Sequence, residues 1–279
     1  MNILTNFYKL FIYTFLYSLV STYSIAMSSD WSVSETSKLR LISPYSQNDS
    51  KNLLIGLEYQ MKPGWKTYWK SPGDGGFAQS ISWENSTNVS NVNILWPTPF
   101  EFEILGLKSL GYQNDVIFPL EIEVEDEFKN TFLNLHVTFL ICKEVCIPGD
   151  ATVFLEIPSG EKKITDNYFN LERALSLLPE SNLDSSYIKK INLKTFNYKK
   201  NSTIQLKFES EKGFFNPKIF LHTPFGLPIL KNSINYSSDN KIITVSFNFD
   251  KELILENKFP LEVIINDLNH NFIKTFNAE

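Results

Sequence analysis

The fold class of this chain is decided by FLNLHVTFLICKEVCIPGDATVFLEIP, residues 132–158. Apolar residues alternate with polar ones on both sides of a short charged segment, and this period of two is typical of half-buried β-strands. The stretch predicts a hairpin in which residues 132–142 form one strand and Lys143-Glu144-Val145 form the turn. Cys146 then begins the returning strand.

Similar runs recur from about residue 31 to residue 158, and the turn-forming residues Gly, Pro and Asn separate them. Two examples are NLLIGLEYQM (52–61) and VIFPLEIEV (116–124). Several short strands with regular turn signals predict an antiparallel β-sandwich. We assign this first domain to residues 28–160.

The remaining sequence predicts a helix and a second domain. Between Tyr168 and Leu178, apolar residues recur with the spacing of an amphipathic helix, so we assign residues 164–182 to a connecting helix. The β pattern resumes beyond it and predicts a second, smaller β-sandwich over residues 184–279. The chain is therefore expected to be all-β apart from this helix.

The first 26 residues predict export. The apolar run Leu10–Val20 follows a short polar start, and small residues lead to Ala26, which is the pattern of a secretory signal peptide. The apolar run is shorter than the roughly 20 residues that span a bilayer. We therefore expect cleavage and no stable membrane insertion afterwards, with an uncleaved anchor as the alternative.

The amino-acid composition indicates in which compartment the protein works and which kinds of partner it can bind. Only Arg40 and Arg173 among 26 basic residues are arginine, and this lysine excess is typical of an AT-rich bacterial genome, so the exported protein is expected in the periplasm. The formal net charge of −5 provides no basic footprint, so we predict no nucleic-acid partner. Two cysteines cannot form the disulfide framework of a small secreted protein.

Cys142 and Cys146 are the two cysteines of the chain. A hairpin places them opposite each other, with Cα atoms about 4.5–5.5 Å apart, so a disulfide is possible. Closing a loop of about five residues contributes only about 2 kcal/mol, against more than about 4 kcal/mol for a loop of about 100. Three interpretations stay open: a local clip, a soft-metal site in which the two thiolates hold Cu(I) with His136 as a possible third ligand, and a redox-active dithiol.

Four linked motifs favour the redox interpretation. They are GWKTYWKSPGDGG (64–76), WPTPFEFEILGLKSLGY (96–112), FPLEI (118–122) and CKEVCIPGDA (142–151). Together they resemble the N-terminal periplasmic domain of DsbD-type thiol:disulfide interchange proteins, and the branch with the copper-sensitivity suppressor proteins is the most similar. The resemblance covers about residues 30–160 and implies an immunoglobulin-like sandwich with the dithiol near one end.

The resemblance also implies roles for the two thiols and a cover for them. Cys146 is the thiol that attacks and is attacked, and Cys142 is its resolving partner. A cap loop at about Phe100–Leu107 is expected to shield the pair, with Ile104 where a phenylalanine is expected. The better-known members have five residues between the cysteines, whereas this chain has three.

Three further side chains are candidates for the site. The resemblance places Tyr68 and Glu103 beside the thiols, and it makes Asp74 a family-typical position. A carboxylate there could accept a proton or raise a thiol pKa by charge repulsion. Asp74 and the following glycines could equally form a tight turn.

The predicted function is periplasmic thiol–disulfide exchange without a cofactor or a metal. The dithiol would relay electrons from a membrane thiol carrier or a thioredoxin-like donor to oxidised periplasmic partners. Those partners would be thioredoxin-like or disulfide-isomerase-like proteins. The alternative is a Cu(I)-binding or partner-docking sandwich with no redox turnover.

Overall fold

A computed structural model describes residues 27–181, 187–197, 201–223, 231–250, 260–268 and 270–277. The predicted signal peptide, residues 1–26, lies outside the described residues. Within these ranges the regular structure is β-strand apart from one helix, α1, at Tyr168–Leu175. The strands β1–β18 are Ser32–Val33, Ser37–Ile42, Asn52–Met61, Lys66–Gly73, Ser80–Ser82, Asn91–Ile94, Phe100–Ile104, Leu107–Gln113, Asp115–Glu123, Thr131–Cys142, Cys146–Ile157, Lys190–Asn197, Asn201–Glu209, Lys218–His222, Lys231–Tyr236, Ile242–Asp250, Pro260–Asp267 and His270–Asn277.

The first sandwich is built from two antiparallel sheets. One has the order β1-β2-β3-β9-β6, and the other has the order β11-β10-β4-β8-β7 with β5 paired to β10. Alternation along β10 turns Leu133, Leu135, Val137 and Phe139 into the core between the sheets. Each such side chain stabilises the fold by about 1.5–3 kcal/mol relative to an exposed one. The predicted all-β, immunoglobulin-like sandwich class is confirmed.

The predicted hairpin over residues 132–158 is present. Strands β10 and β11 pair without a register break from Thr131 opposite Ile157 to Cys142 opposite Cys146. The three residues between the cysteines form the turn, and the amide of Lys143 donates to the carbonyl of Val145 at 3.0 Å. The two cysteines therefore end an unbroken ladder.

The helix that follows the first sandwich is shorter than the range 164–182 expected from periodicity. It begins after Asn167, which makes no side-chain capping bond, and its buried face is Leu171 and Ala174. Beyond it, Glu180 takes part in backbone hydrogen bonds with Asn271 and Ile273. The chain after the helix thus joins the sheet of the second sandwich as an extended segment. No helix in the described part of the chain is long and apolar enough to cross a membrane.

The second sandwich has its own core. One sheet has the order β12-β13-β16-β15 and the other the order β14-β17-β18, and all strand pairs are antiparallel. Alternating residues such as Leu206, Phe208, Val245 and Val263 fill the space between the sheets. Two of its side chains, Phe220 and Ile264, instead pack into the core of the first sandwich. The two sandwiches therefore share an apolar contact.

Polar contacts accompany this apolar one. Lys70 of β4 forms an ion pair with Glu262 of β17, and both side chains are mostly buried. The next residue, Ser71, lies with its Oγ 2.6 Å from Nδ1 of His222 in β14. The second sandwich is therefore attached to β4, the strand that also carries Tyr68.

Acid is expected to weaken this attachment at His222. Burial is the largest cause that lowers its pKa, from 6.5 to about 4, and the Lys70 cation adds to the effect while Glu262 opposes it. An unfolded histidine takes up a proton below about pH 6.5, so this contribution to stability is complete above that pH and is lost as the pH falls towards 4.

The measurement is the unfolding midpoint in urea between pH 7 and pH 4. The wild-type midpoint should fall more steeply with acidification than that of His222→Gln, which cannot titrate. Equal slopes for the two proteins would contradict this assignment.

Candidate functional site

Cys142 and Cys146 form a disulfide in which Cys142 is buried and Cys146 is exposed. The Sγ atoms of Cys142 and Cys146 are 2.04 Å apart, and their Cα atoms are 4.1 Å apart. Cys142 is fully buried because its strand, β10, lies between β11 and β4. On the β4 side, Cys142 pairs with Lys66. Cys146 is exposed because β11 is the edge strand of its sheet. Of the two cysteines, Cys146 is therefore the one that is open to solvent.

A small apolar cluster covers Cys142. Its other members are Tyr68 of β4, Phe102 and Ile104 of β7, and Leu140 of β10. Alternation along β7 buries Phe102 and Ile104 and leaves Glu103 between them exposed. The buried face of β7 is therefore the lid over the inner cysteine.

The expected cap loop is a β-hairpin in the structure. Strands β7 and β8 pair from Phe100 opposite Gly111 to Ile104 opposite Leu107. The turn between them, Leu105-Gly106, has positive φ angles of 52° and 78°, as in the two-residue turns that suit the twist of a hairpin. Leu–Gly lacks the usual Asn–Gly signature of this turn, so the hairpin was not evident from the sequence.

Tyr68 donates a hydrogen bond to the buried sulfur. Its hydroxyl lies 3.0 Å from the Sγ of Cys142 and 3.7 Å from the Sγ of Cys146. Burial raises the pKa of the Tyr68 phenol above its usual value of 10, so the group keeps its proton and acts as a donor. A donor at this place favours a negative charge on Cys142.

The glycines of the PGDGG turn hold the Tyr68 ring. A Cβ on Gly76 would lie 2.3 Å from ring atoms of Tyr68, so only glycine lets the backbone pass so close. Its φ of +93° also favours glycine. The neighbouring Gly75 packs against Leu107 of the cap hairpin. The turn therefore braces both the tyrosine and its cover.

The structure brings together four of the six predicted site residues, namely both cysteines, Tyr68 and Ile104. It does not bring the two carboxylates to the sulfurs. The backbone amide of Asp74 donates to the carbonyl of Lys108, and its exposed side chain borders a groove of about 540 Å³ between the two sandwiches. Glu103 is on the exposed face of β7.

Two contributors were not singled out in the sequence, Phe102 and Leu140. The signal for Phe102 is the alternation in FEFEI (100–104), which places it on the same face as Ile104. Leu140 lies in an unbroken apolar run and has no local mark. Its burial beside Cys142 depends on β4 and β7, which are distant in sequence.

His136, the possible third Cu(I) ligand, is remote from the thiols. It precedes Cys142 by six positions in β10, about 20 Å along a strand at roughly 3.3 Å per residue. Its Nε2 lies 2.6 Å from Oδ2 of Asp150. That part of the metal hypothesis is therefore wrong, because His136 cannot share an ion with the two sulfurs.

Exposed apolar side chains lie at the ends of both hairpins of the site. Val145 and Ile147 flank Cys146 in the sequence, and Leu105 and Leu107 form the tip of the cap hairpin. Exposed apolar side chains grouped at hairpin ends are typical of a surface that another protein covers.

The fold and the site define a class: an immunoglobulin-like sandwich with a hairpin disulfide under a second, covering hairpin. Residues 38–158 match the family described as "Thiol:disulfide interchange protein DsbD, N-terminal". This segment is therefore a domain of that family, and the resemblance predicted from the four motifs is confirmed. None of the curated protein sequences matches the chain.

A solved structure resembles both sandwiches together. It is the N-terminal periplasmic domain of ScsB from Proteus mirabilis, with a TM-score of 0.72 and 23% sequence identity. The likeness covers 91% of this chain and 99% of that one. At this identity the comparison establishes a shared fold that includes the second sandwich.

Proposed function

We propose that this protein performs thiol–disulfide exchange through the Cys142–Cys146 pair. One observation carries the proposal: Cys146 is exposed, whereas Cys142 is buried and accepts a hydrogen bond from Tyr68. The two sulfurs thus have different environments, as expected if one meets the partner and the other serves as the internal leaving group. A disulfide that only stabilises a hairpin would do so equally well with both sulfurs in the same environment.

Reduction of the protein would proceed in two steps. A donor thiolate attacks Sγ of Cys146, the bond to Cys142 breaks, and Cys142 leaves as a thiolate that the Tyr68 hydroxyl stabilises. The second thiol of the donor, as its thiolate, then attacks the donor sulfur of the mixed disulfide and releases Cys146 as a thiolate. Two electrons have moved to this protein, and the donor is left with a disulfide.

Delivery of the electrons is the reverse chemistry on another partner. The Cys146 thiolate attacks one sulfur of the disulfide of an oxidised protein, forms a mixed disulfide with it and displaces the other partner sulfur as a thiolate. Cys142, as its thiolate, attacks Sγ of Cys146, which re-forms the bridge and releases the partner sulfur as a thiolate. The partner is then reduced and the Cys142–Cys146 bridge is restored.

The family match supports a periplasmic compartment and thiol–disulfide partners for this protein. A membrane thiol carrier or a thioredoxin-like protein would supply the electrons. Oxidised thioredoxin-like or disulfide-isomerase-like proteins of the periplasm would receive them. Such a partner would dock on the exposed apolar side chains at the ends of the two hairpins, Leu105, Leu107, Val145 and Ile147. The two-sandwich arrangement shared with the ScsB domain supports the copper-sensitivity suppressor-like branch.

Exchange with a reduced thioredoxin-like protein tests this proposal. The oxidised chain should gain two free thiols, Cys142 and Cys146, and the donor should lose two. Mass spectrometry of the acid-quenched mixture should show a transient adduct through Cys146. Failure of the donor to reduce the bridge, under conditions in which it reduces insulin, would exclude the proposed function.

Tyr68→Phe is expected to slow reduction of the bridge about tenfold or more. A hydrogen bond to a charged group contributes about 1.5–3 kcal/mol, and about 1.4 kcal/mol corresponds to a factor of ten in rate. Stopped-flow measurement of the reduction rate by dithiothreitol checks this. Tyr112→Phe is the matched control because the Tyr112 hydroxyl donates to the carbonyl of Pro97 instead of a sulfur. Equal rates for wild type and Tyr68→Phe would contradict the role of the hydroxyl.

A further inference from the structure

The regular pairing of strand β4 with strand β8 stops immediately after Tyr68. Tyr68 lies opposite Gly111 of β8, but the next paired residue of β4 is Gly73, opposite Ser109. Four residues of β4, numbers 69–72, therefore face a single residue of β8, Leu110. Such a bulge releases the extra residues from regular pairing and lets them reach other parts of the molecule.

The released residues contact the second sandwich one after another. The Trp69 ring packs edge-on against Phe220 and His222, with ring centroids 6.4 Å and 6.1 Å away. Lys70 forms the ion pair with Glu262. Ser71 Oγ lies 2.6 Å from Nδ1 of His222. The second sandwich thus holds the segment that the β4–β8 ladder does not hold.

The two ends of the bulge are the parts of the chain that place Tyr68. The strand end before the bulge carries Tyr68 itself, and the turn after it carries Gly76, which packs on the Tyr68 ring. A shift of residues 69–72 would move both. The hydrogen bond from Tyr68 to Cys142 is sensitive to such a shift, because hydrogen bonds weaken steeply with distance and misalignment.

We propose that the second sandwich positions Tyr68 against the buried sulfur by clamping the β4 bulge. Lys70, Ser71, His222 and Glu262 are positioning residues in this arrangement, since their contacts join β4 to the second sandwich. The inference rests on the proposed exchange function and assigns a part in it to the second sandwich. Loosening of the clamp would leave the disulfide in place and slow the departure of the Cys142 thiolate.

A double-mutant cycle in the full chain tests the clamp. Glu262→Gln removes the charge that pairs with Lys70 and keeps the shape of the side chain. We expect it to slow reduction by dithiothreitol about three- to tenfold in the wild-type background. In the Tyr68→Phe background it should have no further effect, because the hydroxyl that it positions is absent. Glu211→Gln is the control, since Glu211 pairs with Lys189 elsewhere on the second sandwich.

The outcomes separate a positioning role from a structural one. An equal slowing by Glu262→Gln in both backgrounds would overturn the proposal, because the effect would not pass through Tyr68. No slowing in either background would overturn it as well. Ser71→Ala, which deletes only the contact to His222, provides the same cycle if Glu262→Gln folds poorly. Failure of the exchange function itself would differ, since the wild-type bridge would then resist the thioredoxin-like donor.

Discussion

Cys142→Ala is expected to convert the protein into a trap for its partners, whereas Cys146→Ala should leave it inert. The accessible Cys146 can still attack a partner disulfide in the first variant, but the buried thiol that would resolve the mixed disulfide is gone. In the second variant the remaining thiol is fully buried under Tyr68, Phe102 and Ile104. Loss of either cysteine should abolish turnover, a decrease of at least about a thousandfold.

Non-reducing gels of periplasmic extracts, followed by mass spectrometry, provide the measurement. Extracts with Cys142→Ala should contain adducts of thioredoxin-like or disulfide-isomerase-like proteins that disappear on reduction. Extracts with Cys146→Ala are the matched control and should contain none. Adducts that form equally well with Cys146→Ala would contradict the assignment of the attacking thiol.

Gly111→Ala is expected to destabilise the first sandwich by about 3 kcal/mol or more. A Cβ at this position would lie 2.0 Å from the carbonyl oxygen of Thr67, and a backbone atom in a ladder cannot move aside as a flexible side chain can. Strand β8 would have to separate from β4 next to Tyr68, which pairs with Gly111. Overpacking usually costs about 1–3 kcal/mol, and a clash with backbone belongs to the upper end of that range.

Urea unfolding of the oxidised protein measures this effect. Gly106→Ala is the matched control in the cap hairpin, because no atom lies within 4 Å of its added Cβ. Its φ of +78° should cost only about 1 kcal/mol. Similar unfolding free energies for the two variants would contradict this prediction. They would show that β8 does not lie so close to β4 in solution.

The hairpin and the sandwich class could be predicted because their signals are local. Alternation in residues 132–158 defines both faces of β10 and β11, and the charged segment between Cys142 and Cys146 marks the turn. The predicted helix lies in the correct part of the chain, but its predicted range was too long. Periodicity continues to Leu178, whereas the helix ends at Leu175 and a turn follows, after which the chain pairs with β18 at Glu180.

The details of the site depend on contacts between distant parts of the chain. Tyr68 and Cys142 are 74 positions apart, and only the family resemblance placed them together. No local feature of the sequence indicates the bulge after Tyr68 either. The segment SPGDGG (71–76) predicts a turn, whereas β4 continues to Gly73. Residues 69–71 of the bulge contact residues of the second sandwich that lie more than 150 positions away in the sequence. For the same reason the sequence could not show that Asp74 borders the groove between the two sandwiches.

The reduction potential of the Cys142–Cys146 pair decides whether this bridge can take part in thiol–disulfide exchange. The full oxidised chain is equilibrated with thiol buffers of known potential, and the free thiols are counted at each potential. A pair that exchanges electrons with thioredoxin-like proteins should have a potential above about −300 mV, in the range of known exchange proteins. A potential below about −300 mV, which is typical of structural disulfides, would contradict the account and leave the bridge as a clip on its hairpin.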